Sequence, residues 1–198
     1  MDEIVIRGMA KWPNVPSVFG WLTLDRRGDW LLKGERIWNP GIANFIGRNY
    51  ECDEQGRWYF QNGPQRVYVT LEYAPLVYRV TCTSGHASVL DTQRGKQVSA
   101  VKVAWMDEHG SMLLETSDGV GLVHDHDMGD VLARFVDVNG EKLNDDQLEQ
   151  RVDAVRGGAE TDLFLDFGGP LITVMPIASR HVAAKFGFVS VPRACDAD

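Results

Sequence analysis

Along this chain an aspartate recurs with a glycine three residues later, as at Asp25–Gly28, Asp53–Gly56, Asp107–Gly110 and Asp137–Gly140. Three of these pairs run at once into strand-like segments, Asp29-Trp30-Leu31-Leu32, Arg57-Trp58-Tyr59-Phe60 and Ser111-Met112-Leu113-Leu114. An aspartate carboxylate accepts hydrogen bonds from backbone N–H groups just ahead of it, and glycine takes the positive φ that other residues resist. Together they suit a type I turn closing a β-hairpin with a bulge. A chain punctuated in this way is committed to antiparallel hairpins. A calcium loop is excluded, because the alternating oxygen ligands and the distal glutamate are missing.

Between the turns, apolar residues alternate with the period of half-buried strands. Val67, Val69 and Leu71 share one face, Val101, Val103 and Trp105 another, and Leu163, Leu165 and Phe167 a third. Further strands are expected near 18–24, 29–37, 57–61, 77–82, 111–116, 119–123 and 171–177. Two helices stand out. Asn39 caps one, Pro40 occupies its first turn, and Ile42, Phe45 and Ile46 form its apolar stripe. Gly41 and Gly47 weaken it, so tertiary packing must hold it. The other starts at Asn144, where Asn144-x-x-Gln147 forms a capping box; Leu148, Val152 and Val155 are its apolar face, and Gly157-Gly158 stops it. Shorter helices are expected at about 128–135 and 179–185.

The blocks Asp53–Val69 and Asp107–Val123 align without a gap over Asp-Glu-x-Gly, a four-residue strand, an interruption and a second strand. That match suggests paired hairpins in two related halves. The stretch from Thr83 to Lys96 is polar and carries Gly and Ser, and reads as a joint or a long loop. The division expected is therefore a Trp-rich α+β lobe over 1–90 and a second α+β lobe over 91–198, or a single compact unit. The fold class is α+β, antiparallel hairpins with a few helices packed on one face, two related lobes being one arrangement the repeat allows.

Part of the pattern is familiar. Trp21…Asp25-x-x-Gly28-Asp29-Trp30…Gly34-x-x-Ile37 leads through a helix to Asp53-Glu54-x-Gly56-Arg57-Trp58-Tyr59-Phe60-x-Asn62-Gly63-Pro64-Gln65-Arg66-Val67-x-Val69. This run, with the ending Phe186-Gly187-Phe188-Val189…Pro192-Arg193, resembles uncharacterised proteobacterial families known only as domains of unknown function. The resemblance implies a small α+β structure and a cytoplasmic home. It implies no activity, cofactor or catalytic residue.

Charge and motifs narrow the function. Lys plus Arg number 20 against 28 Asp plus Glu, a formal net charge of −8, which argues against nucleic-acid backbone binding. No run approaches the 18 or so apolar residues of a membrane span, and the acidic start Met1-Asp2-Glu3 is unlike a secretion signal. Cys52, Cys82 and Cys195 form no Cys-x-x-Cys pair, so a disulfide framework is not expected and a reducing cytoplasm is. GxGxxG, P-loop, HExxH and Gly-x-Ser-x-Gly patterns are absent. Cys82, Ser84, His86 and Asp91 are the nearest approach to a nucleophile cluster, which proximity in sequence does not make a triad.

Three candidate sites remain. In Asn62-Gly63-Pro64-Gln65-Arg66, Asn-Gly signals a two-residue turn, but Pro64 falls where the closing N–H is needed, so the loop should be longer or open. Asn62, Gln65 and Arg66 would then be free to bind, Arg66 gripping a carboxylate or phosphate; the structural alternative has Arg66 pairing with an acid such as Glu72. His124-Asp125-His126-Asp127 would present both imidazoles on one face of an extended segment, as a transition metal needs; the alternative has Asp125 or Asp127 capping the following helix. Five of six tryptophans fall in the first third, where they fill a core or line a cleft or a homo-oligomer contact. These residues point to a non-catalytic module for a small ligand or a protein, needing no cofactor, with the Asn62–Arg66 loop and the Trp-rich third as its surface. The alternative is a hydrolase dependent on a divalent transition metal at His124 and His126, which leaves open whether the protein is an enzyme.

Overall fold

The computed structural model of the chain describes residues 1–12, 15–83, 86–98 and 100–194; Ser84 and Cys195 lie outside the described residues. The chain forms two compact units of mixed α and β structure. The first comprises Met1–Pro75, Gln93–Gly95 and the segment from Ala183 onward; the second comprises Leu76–Thr92 and Lys96–Val182. The division expected at 90/91 falls within a strand of the second unit, His86–Asp91.

In the first unit, helix α1 (Glu3–Lys11) precedes strands β1 (Val18–Leu24), β2 (Trp30–Leu32) and β3 (Glu35–Arg36), helix α2 (Pro40–Arg48), and strands β4 (Tyr50–Cys52), β5 (Trp58–Asn62) and β6 (Gln65–Leu71). The strands form one sheet in the order β3-β2-β1-β6-β5-β4. Leu22 and Leu24 of β1 and Val69 and Leu71 of β6 are buried side by side, in the register Leu22↔Val69 and Leu24↔Leu71. The expected strand over 29–37 is a hairpin, broken by a two-residue turn at Lys33-Gly34. Helix α1 lies outside the elements that the sequence pattern predicts; Val5 is buried, while Ile4 and Ile6 are exposed.

The second unit holds β7 (Leu76–Thr83), β8 (His86–Asp91), β9 (Lys96–Gln97), β10 (Val101–Met106), β11 (Met112–Thr116) and β12 (Gly119–Val123). Helix α3 (Met128–Leu132), β13 (Phe135–Val136), α4 (Asp145–Arg156), β14 (Phe164–Leu165) and β15 (Ile172–Pro176) follow, and α5 (Val182–Phe186) leads back to the first unit. The sheet order is β13-β14-β15-β10-β11-β12-β7-β8-β9. The polar stretch read as a joint is largely β8, antiparallel to β7. Its Val89 and Asp91 are buried while His86, Ser88 and Leu90 are exposed, so a half-solvated strand hid behind polar residues. In β10 the buried positions are Ala104 and Met106, with Val101, Val103 and Trp105 only half-buried, the reverse of the face expected.

The sheets are mixed rather than built of hairpins alone, because β1 pairs parallel with β6, β7 with β12 and β10 with β15. These parallel pairs make the two units correspond. The order β3-β2-β1-β6-β5-β4 of the first sheet is matched strand for strand by β9-β8-β7-β12-β11-β10 within the second. Each has a hairpin, a two-residue third strand, and a three-stranded meander whose last strand returns parallel to the first. The Asp53 and Asp107 turns occupy equivalent positions, the first bend of each meander.

The turns at Asp25, Asp53, Asp107 and Asp137 share one geometry. In each, the aspartate Oδ1 accepts from the backbone N–H groups two and four residues on, at 2.7–3.0 Å. The glycine N–H closes onto the aspartate carbonyl, and the glycine φ is +75° to +81°.

Candidate functional site

Helix α2 is capped as expected: the Asn39 side chain accepts from Gly41 and Ile42 N–H, with Pro40 at its start. Its stripe of Ile42, Phe45 and Ile46 faces Leu22 of β1, Phe60 of β5 and Val67 of β6. Phe45 meets Phe60 edge to face at a centroid distance of 5.6 Å. The helix does not close onto the sheet. A cleft of about 510 Å³ remains, walled also by Trp21, Leu32 and Ile37. Three of its apolar walls stand open to solvent, Trp21 at 49%, Leu32 at 48% and Ile42 at 50% exposure, a concentration unusual for a well-packed surface.

Polar groups gather at one end of this cleft. Asn62 and Gln65 line it, flanking the β5–β6 turn. The register shows that the turn is tight, not open: Asn62 pairs with Gln65, leaving Gly63 (φ +57°) and Pro64 as the two central residues. Proline therefore sits one position before the residue whose N–H closes the turn, not at that residue as the Asn-Gly spacing predicts. Glycine at positive φ followed by a residue near −65° is the pattern of a type II′ turn. Buried Gln61 supports it, its Nε2 donating to the Gly63 carbonyl at 2.8 Å. Gln65 Nε2 donates to the Pro16 carbonyl at 3.2 Å.

Arg66 is not brought to this end. Val67 lines the cleft, so Arg66 projects from the opposite face, as the alternation of the strand requires. There its guanidinium stacks over Tyr59 at 4.6 Å, and it makes no ion pair with Glu72, whose carboxylate accepts instead from the Arg26 N–H. Arg66 borders a second, polar recess of about 400 Å³ with Asp53, Arg57 and Tyr59. Burial works to raise the Asp53 carboxyl, but hydrogen bonds from Arg57 and Tyr68 hold it below its ordinary value.

The cleft residue that sequence reading missed is Lys33. It lies in the β2–β3 turn at φ +51°, with Gly34 at +87°, the two positive values of a type I′ turn. Asparagine or glycine is usual at the first of these positions. The signal was a Lys-Gly pair between strand residues, hidden because the segment read as one strand. Lys33 N–H donates to the Trp21 carbonyl at 2.7 Å, and its Nζ lies 4.1 Å from the centre of the Trp21 ring.

His124, Asp125 and His126 do come together, with ligand-type atoms all within 4.8 Å of one another. The segment is a 3-10 turn, not an extended strand, so the two imidazoles sit tilted 4.8 Å apart. The cap is His124 itself, whose Nδ1 accepts the His126 N–H at 3.1 Å. Asp127 makes no side-chain cap; Arg79 grips its carboxylate at 2.7 and 2.8 Å, and the Val80 N–H donates to it at 2.8 Å. Burial pushes the His124 imidazole below its ordinary value, against the nearby Asp125 carboxylate. A neutral His124 fits its role as acceptor. Cys82 and Asp91 do not converge: Asp91 pairs with Tyr78, four residues along β7 from Cys82, roughly 13 Å at strand rise.

Comparison with known proteins agrees with this architecture. The chain belongs to the family DUF2944, described as "Protein of unknown function (DUF2946)", whose model matches residues 1–193. A DUF1285 family protein from Silicibacter pomeroyi DSS-3 has a similar crystal structure, at a TM-score of 0.52 and 15% identity over 85% of this chain and 87% of that one. A DUF1285 family protein from Shewanella baltica OS155 gives 0.41 and 17% identity over 65% and 96%. The first likeness is one of fold. Among curated proteins nothing matches. No helix among the described residues is long and apolar enough to cross a membrane.

Proposed function

We propose that this protein is a non-catalytic module that binds a small apolar ligand in the cleft between α2 and the first sheet, with Asn62 and Gln65 at its rim. The observation that carries this reading is the cleft itself: about 510 Å³, walled by aliphatic and aromatic side chains, with few polar groups at one end. Ligand sites are typically concavities of 300–1,000 Å³ of this composition. The same reading takes the matched strand orders of the two units as a trace of duplication. It also sets the protein in a reducing cytoplasm, which suits the free thiols of Cys52 and Cys82.

The test uses a neutral fluorescent probe, N-phenyl-1-naphthylamine, titrated into the intact chain. Saturable binding of one probe per chain with quenching of tryptophan fluorescence is expected. Ile42→Glu puts a charge into the mouth at a position 50% exposed, so the fold should survive while probe affinity falls at least tenfold. Unchanged affinity in that variant would place the probe elsewhere and overturn the reading.

A further inference from the structure

We propose that the ligand of this cleft is an amphipathic anion, its apolar body lying along α2 and its acidic head on Lys33. The inference rests on the cleft being a ligand site, and it adds the charge and orientation of what binds. Register places the polar groups of the cleft. β1 and β6 run parallel and β2 antiparallel to them, so the starts of β1 and β6 and the end of β2 point the same way along the sheet. Lys33 follows the end of β2, and Asn62 and Gln65 flank the turn that leads into β6. The rest of the lining is apolar, with Leu22, Ile46 and Phe60 buried. A ligand with one polar and one apolar end can therefore meet Lys33 with its head and these buried side chains with its body.

The sign of the head follows from Lys33, the cation that lines the cleft among the described residues; Arg66 and Lys11 of this unit also rest on rings, those of Tyr59 and Trp12, but neither lines it. Other cations of the unit are neutralised. Arg36 pairs with Asp29 at 2.7 Å, Arg48 with Asp2 at 3.1 Å and Arg57 with Asp53 at 2.8 Å. Lys33 has no carboxylate within ion-pair distance among the described residues, and its ammonium rests on the face of Trp21 alone. A cation–π contact leaves the other side of the ammonium available to an anion. The Asn62 amide makes no hydrogen bond among the described residues and lines the same cleft, offering N–H donors to a polar group of the ligand. In a chain of net charge −8, a lone cation at an apolar mouth is the feature that would select an acid over a neutral analogue. The backbone points the same way. Lysine holds a left-handed conformation at φ +51° that asparagine or glycine would hold more cheaply, and strain of this kind collects at binding sites.

The experiment displaces bound N-phenyl-1-naphthylamine with decanoate or with 1-decanol, which share a chain and differ in charge. In the wild-type protein at low salt, decanoate should displace the probe at a concentration at least tenfold below that of decanol, and added salt should narrow the gap. Lys33→Asn suits the turn at least as well as lysine, so it should fold; it should erase the preference and leave decanol unchanged, while Lys33→Arg should retain the preference. Equal potency of the two competitors in the wild type, or a preference that survives Lys33→Asn, overturns the anionic head while the cleft reading stands. Failure of the neutral probe to bind overturns both.

Discussion

At the scale of single residues, one turn geometry is used four times, yet its glycines do different work. Gly56 and Gly110 hold φ of +75° and +81°, as the Asp-x-x-Gly pattern anticipates. A Cβ on Gly110 would meet nothing closer than Arg156 Nε at 3.9 Å. A Cβ on Gly56 would fall on the carbonyl oxygen of Gly187, where the C-terminal segment crosses the turn and Val189 N–H donates to the Gly56 carbonyl at 2.9 Å. Gly110→Ala should therefore cost only the left-handed backbone penalty, about 1–2 kcal/mol. Gly56→Ala carries the same penalty plus about 1–3 kcal/mol of forced displacement. Denaturant midpoints of the two variants decide it; equal losses would mean the crossing segment yields freely. The turn was legible because its chemistry is local. The crossing was not, because nothing near Gly56 in sequence encodes contact with residue 187.

Among the elements, those whose stabilisation is local were readable and those made by distant partners were not. Asn39-Pro40 and Asn144-x-x-Gln147 announce helices that the structure caps as expected. Strands β1, β11 and β12 fall over the ranges expected of them. Helix α1 escaped because Asp2 makes no side-chain cap hydrogen bond; its carboxylate pairs with Arg48, and its N–H donates to Asn49 Oδ1. The cleft was half legible: Asn62, Gln65, Trp21 and the stripe of α2 were singled out, but their meeting depends on sheet order, and Lys33 on an unforeseen turn. Gly47 shows the same limit within α2. It appears as a defect in a helix, where Gly→Ala ordinarily gains about 0.8–1.0 kcal/mol. Here a Cβ would overlap the Gln93 carbonyl, which packs directly against it. Gly47→Ala should therefore lower the urea midpoint. A rise toward the intrinsic helix gain would mean that the Gln93 segment moves aside without cost.

At the scale of the whole molecule, the chain begins and ends in the same unit. The second unit, Leu76–Val182 apart from Gln93–Gly95, is in effect inserted into the first. Folding of the first unit must then wait for a segment more than a hundred residues downstream, a long loop closure whose entropic cost grows only slowly with length. Among the described residues, two hydrogen bonds and a buried ring hold that segment. Leu71 N–H donates to the Ser190 carbonyl at 2.8 Å, Val189 N–H to the Gly56 carbonyl at 2.9 Å, and Phe188 is buried at 6% exposure. Removing the Phe188 ring should cost about 3–5 kcal/mol if its site stays open. The loss belongs to the first unit, because both hydrogen-bond partners lie there, on β6 and on the turn before β5. Hydrogen exchange on Phe188→Ala separates the cases. Amides of β5 and β6 should lose protection, while those of β10, β11 and β12, the equivalent meander of the second unit, keep theirs. Equal acceleration in both meanders would show instead that the two units open as one cooperative body, and that their matched strand orders do not make them independent in stability.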